Sequence, residues 1–69
     1  MAILIQIRDV NTGDVISKQQ ISEDAGTFQY ANLARKMMRK TTYAFQDMYA
    51  VAVDTDTWDA IWKAQVSET

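Results

Sequence analysis

The sequence predicts an α+β domain of order β-β-α-β-α, with residues 1–69 forming one domain. The expected sheet has three strands in the order 2-1-3, with helices packed on one face. Three observations lead there. The chain opens on a run rich in β-branched residues. Its centre carries an apolar stripe at helical spacing. A second apolar run with strand alternation follows.

The opening segment, "AILIQIRDV" (residues 2–10), alternates Ile3, Ile5 and Ile7 on one face with Leu4, Gln6 and Arg8 on the other. Being apolar on both faces at its start, it suits a central strand. "NTGD" (residues 11–14) is a hairpin turn, with Gly13 placed to take the left-handed conformation. "VISKQQI" (Val15–Ile21) is a more polar strand, and Lys18 marks it as an edge.

"SEDAGT" (residues 22–27) is rich in helix-start residues, with Ser22, Asp24 and Thr27 as candidate N-caps. Glu23 and Asp24 would lie at the positive end of the helix dipole. The helix then runs to about Lys40 or Thr42. On a wheel of about 100° per residue, Tyr30, Leu33, Ala34, Met37 and Met38 make one inward stripe. "YAFQDMYAVAVD" (residues 43–54) holds the third strand, with Tyr49, Val51 and Val53 opposite Met48, Ala50 and Ala52. In "TDTWDAIWKAQV" (residues 55–66), Trp58, Ile61 and Trp62 fall at i, i+3, i+4, which predicts a short closing helix. There is no internal repeat, low-complexity tract or proline.

Sixty-nine residues make a core that rarely supplies more than ~3–5 kcal/mol. The chain has neither cysteine nor histidine, so disulfides, Cys/His zinc sites, thiol nucleophiles and imidazole bases are excluded. The acidic "DTDTWD" (residues 54–59) looks like the start of a calcium loop. It lacks the glycine, the oxygen ligand and the closing glutamate that such a loop requires, so capping is the expected role. Asp54, Asp56 and Asp59 have no cleft or histidine to support acid–base work. No metal, cofactor or enzymatic activity is expected. A missing membrane span and a missing signal segment lead to the expectation of a cytoplasmic protein.

The residues left for function are surface ones. Arg35, Lys36, Arg39 and Lys40 hold four of the seven basic residues within six positions, opposite the apolar stripe. As a solvated face they need no function. Their like-charge i,i+4 pairs each cost roughly 0.2–0.5 kcal/mol, and no acidic residue within the helix offsets them. That points to an anionic partner, an acidic protein surface before nucleic acid, because the net charge is −2 and no second basic cluster is evident. Phe28 falls near the same arc. Trp58 and Trp62 are candidates for the core or for a contact surface. In the order 2-1-3 the third strand is an unguarded edge, so Tyr49, Val51 and Val53 would support a homodimer by sheet extension.

The leading expectation is a small non-enzymatic protein–protein interaction module. It would be a regulator or inhibitor, of the size and composition seen among phage and mobile-element proteins, that occupies a surface of a larger partner. The alternatives are a dimeric nucleic-acid-binding regulator using the same helix face and a purely structural oligomerising subunit.

Overall fold

The structure, a computed structural model, describes residues 2–67. Its elements are β1 (Ile3–Asp9), β2 (Val15–Ile21), α1 (Thr27–Arg39), a short 3-10 turn (Phe45–Asp47), β3 (Met48–Asp54) and β4 (Ala60–Ala64). The four strands form one sheet in the order β2-β1-β3-β4, and every neighbouring pair is antiparallel.

The fold is α+β, but it corrects the expected architecture. The sheet has four strands rather than three, and α1 is the only α-helix among the described residues. The closing segment is not a helix docked by its tryptophans. It is a turn followed by β4, which pairs Ala50 with Ala64, Val51 with Lys63 and Ala52 with Trp62. The physical reason is local. A helix of about ten residues is marginal in water, whereas β4 gains a ladder against β3 at once. An irregularity in register beside Ala52/Val53 sets Ile61 out of step. A bulged strand can therefore imitate i, i+3, i+4 spacing over so few residues.

A second correction follows. β3 is an interior strand, hydrogen-bonded to β1 on one side and β4 on the other. Tyr49, Val51 and Val53 do not line an open edge, and the ground for a sheet-extension dimer through them is gone. The actual edges are β2, which carries Lys18, and β4, which is short, bulged and carries Lys63. Each is a feature that discourages stray pairing.

β1 sits at the centre because its alternation serves two faces. Ile3, Ile5 and Ile7 are almost wholly buried against α1. Their cross-strand partners Ala50 and Ala52 are small, as is Ala34 on the helix, so the helix lies close to the sheet. Met37, Met38 and Met48 fill the remaining space, which suits flexible thioether side chains. Trp62 packs against this core, with its ring centroid 5.8 Å from that of Tyr30.

The helix begins one residue after Gly26, not on Ser22, Asp24 or Thr27 as cap. The Gln29 side-chain oxygen accepts from the Gly26 N–H at 2.7 Å, half of a capping box. Ser22 instead closes the preceding turn, its hydroxyl accepting from the Asp24 N–H at 3.2 Å. Glu23 and Asp24 thus stand outside the first helical turn.

Truncating a central isoleucine tests the core. Ile5→Ala removes a side chain that is 0% exposed and should cost about 2–5 kcal/mol. A domain of this size has only about 3–10 kcal/mol in total, so urea unfolding should show a midpoint shifted sharply down or lost. Gln20→Ala, on an exposed edge position, should leave the midpoint within about 0.5 kcal/mol of the parent.

Candidate functional site

α1 covers one face of the sheet, and its own outer surface carries the basic cluster. Lys36, Arg39 and Lys40 are exposed in the last turn and at the C-cap, where cations complement the helix dipole. Arg35 is half-buried and occupied. Its Nη1 donates to the Asn32 Oδ1 at 3.0 Å and its Nε donates to the Ser67 carbonyl at 3.1 Å. Arg35 therefore anchors the segment after β4 to the helix, alongside Val66, which is buried in the core. Beside the basic end lies a shallow groove of about 380 Å³ between β2 and the helix C-terminus. Ile16, Met37, Lys40 and Tyr43 contribute to its walls.

Phe28 is 78% exposed and shares a stripe with Asn32, Arg35 and Arg39. It lies in the first turn, however, about 16 Å along the axis from Arg39. The structure thus groups Arg35, Lys36, Arg39 and Lys40 and places Phe28 at the opposite end of the helix.

The uncovered face of the sheet is also basic. Strand alternation puts Leu4, Gln6 and Arg8 there from β1, Lys18 and Gln20 from β2, Tyr49, Val51 and Val53 from β3, and Lys63 from β4. Buried Gln6 accepts from the Arg8 Nε at 3.1 Å and from its Nη2 at 2.8 Å. The Arg8 Nη1 donates to the Gly13 carbonyl at 2.9 Å. The Lys63 ammonium stands 5.0 Å from the centroid of the Tyr49 ring. This second cationic surface is formed by residues far apart in sequence. It lies on the far side of the slab from the helix, whose smallest dimension is 16 Å.

The two tryptophans separate. Trp62 belongs to the core, while Trp58 is 65% exposed in the β3–β4 turn. That turn has a counterpart. In "DVNTGD" (residues 9–14) the Asp9 N–H donates to the Asp14 carbonyl at 2.9 Å, and the Gly13 N–H donates to the Asp9 carbonyl at 2.8 Å. In "DTDTWD" (residues 54–59) the Asp54 N–H donates to the Asp59 carbonyl at 3.0 Å, and the Trp58 N–H donates to the Asp54 carbonyl at 2.6 Å. The first aspartate of each accepts from the N–H two residues on, at 2.7 and 2.9 Å. The threonine hydroxyl of each accepts from the final N–H, at 3.2 and 3.3 Å. A six-residue turn pattern therefore does recur in the sequence, and alignment of these two hexapeptides would have revealed β4. The position that Gly13 occupies at φ 77° is taken by Trp58 at φ 61°.

Among the described residues no group of three or more Asp or Glu side chains is arranged to hold a metal ion. Among the described residues no helix is long and apolar enough to cross a membrane. Comparison with protein-family models, with curated proteins and with solved structures gives no match.

The left-handed residue of the first turn can be tested by itself. A Cβ at Gly13 would meet no atom within 4 Å, so any penalty is backbone strain alone. Gly13→Ala should destabilise by about 1–2 kcal/mol. Thermal unfolding should show this as a melting temperature lower by roughly 4–16 °C.

Proposed function

We propose that this chain is a non-enzymatic binding module that covers an acidic surface of a larger protein through the C-terminal half of α1. The observation that supports it most is the composition of the helix. Four cations occupy its outer half, and no acidic residue lies anywhere between Thr27 and Lys40. Lys36 and Lys40, four residues apart and both exposed, are like charges held side by side. A carboxylate-bearing partner relieves that repulsion, and the groove beside Lys40 offers a seat for an apolar side chain flanking the carboxylates. Arg35, already engaged by Asn32 and Ser67, is the least available member of the arc.

The mode of action in this reading is occlusion. In this reading the domain regulates a partner by occupying its surface and excluding what would otherwise bind there. A regulator or inhibitor carried by a phage or mobile element, working in the cytoplasm, fits these dimensions and a chain with no cysteine to oxidise. Nucleic acid is the weaker reading. The second basic surface faces away from the helix, so the two do not make one footprint on a duplex.

The test is charge reversal. Lys36→Glu/Arg39→Glu/Lys40→Glu should abolish capture of an acidic protein while leaving the melting temperature within a few degrees of the parent. Undiminished capture by this variant would refute the assignment. The nucleic-acid reading is read out separately, by gel shift on nonspecific duplex at low salt. Binding there, with affinity falling linearly in log salt, would replace the acidic-protein partner with a phosphate backbone.

A further inference from the structure

The two hairpin turns provide an internal control. They share one backbone course and one hydrogen-bond pattern, and that course requires a residue in the left-handed region. The first turn meets the requirement with glycine, the residue that adopts it freely. The second meets it with tryptophan, for which a positive φ is an outlier. Burial does not offset this strain, because Trp58 is 65% exposed, whereas Trp62, four residues on, packs against the core. Strained residues held by a surrounding structure that over-determines them concentrate at sites of function.

The chain course adds what lies at the same end of the sheet as Trp58. β2 ends, α1 begins and β3 turns into β4 at the same end of the sheet. Ile61, 48% exposed, follows Trp58 there, and Phe28, 78% exposed, lies in the helical turn at that end. Asp54 ends β3 there, and Glu23, Asp24, Asp56 and Asp59 belong to these same connections. None of the seven Lys and Arg residues does. They lie along the strands or from Arg35 onward.

We propose that this end is a recognition tip: Trp58 enters an apolar slot in a protein partner, and the slot is rimmed by Arg and Lys that meet the surrounding carboxylates. Tryptophan is enriched among residues that dominate binding energy, and a partner guanidinium over the indole adds a cation–π contact. The carboxylates repel phosphate backbones and anionic lipid, which selects a basic protein over both. The tip is chemically opposite to the basic end of α1 and does not rest on that assignment.

Two measurements decide it. The first is thermal unfolding of Trp58→Gly and Trp58→Asn, both of which accept the left-handed conformation. They should melt at or above the parent, by up to roughly 5 °C. A fall in both would make Trp58 a folding residue and overturn the proposal. The second places a photo-reactive benzophenone amino acid at position 58 in the cells that make the protein. The protein it cross-links is purified as the probe, and its binding is titrated by calorimetry. Trp58→Ala should weaken binding at least about 30-fold. Asp56→Lys/Asp59→Lys should also weaken it. Lys36→Glu/Lys40→Glu should leave it unchanged, so that failure of the tip and failure of the helix face are read separately. No cross-linked protein, an affinity indifferent to Trp58→Ala, or a cross-linked surface rich in Asp and Glu would each overturn it. So would a dimer in light scattering that Trp58→Ala dissolves, since the slot would then belong to a second copy.

Discussion

Everything in this molecule hangs on the central position of β1. Its three isoleucines are the most completely buried branched side chains of the protein, and both long ladders, to β2 and to β3, run along it. β2 and β3 cannot pair with each other because β1 lies between them, so the connection carrying α1 must cross over β1. That crossing lays the helix on the isoleucine face and leaves the Leu4, Gln6, Arg8 face without a layer. At roughly 25 cal/mol per Å² of apolar surface buried, such a strand supplies a large share of a small core. The alanines that face it, Ala34, Ala50 and Ala52, are what let the helix come close enough to use it.

The same alternation dictates the opposite face. A buried amide such as that of Gln6 is costly unless paired, and Arg8 pairs with it twice while also reaching the first turn. Among the described residues no buried side-chain polar atom lacks a partner. The open face is thus a satisfied surface rather than an unfinished core. Its valines on β3 are shielded by strands on both sides, not by a second layer.

What could be read from the sequence was what is periodic and local. The outer arc of α1 and its inward stripe both follow from residue spacing, and Gly13 follows from turn chemistry. What could not be read was non-local or ambiguous over a short window. Five residues of β4 with an irregular register carry too few repeats to separate strand from helix. Reading that segment as a helix removes a strand, makes β3 an edge and puts Trp58 and Trp62 on one face. The role of Arg35 rests on a carbonyl 32 residues away, which no spacing rule reaches. A helical wheel groups Phe28 with the bases because it shows angle and hides distance along the axis. The recurring Asp-Thr-Asp frame of the two turns was visible in the letters. Its meaning lay in the one position where the letters differ.

The net charge of −2 therefore misdescribes how the molecule meets others. Its carboxylates gather at strand ends because aspartate closes turns by accepting backbone N–H groups, as Asp9 and Asp54 do here. Its cations lie mid-strand and along the second half of α1. A seven-residue strand spans about 23 Å, and the Debye length at physiological salt is about 8 Å. The acidic end and the basic helix end are thus screened from each other several-fold and act as separate surfaces. A partner approaching the Trp58 end meets an exposed indole at the end of the sheet that also carries Glu23, Asp24, Asp54, Asp56 and Asp59. One approaching the end of α1 meets Lys36, Arg39 and Lys40, while Asp9, Asp14 and Asp47 lie in the connections at that end of the sheet. The separation has a local cause: four of the seven cations lie on the second half of α1 and its C-cap, whereas Asp54, Asp56 and Asp59 are held in the β3–β4 turn at the end of the sheet where that helix begins.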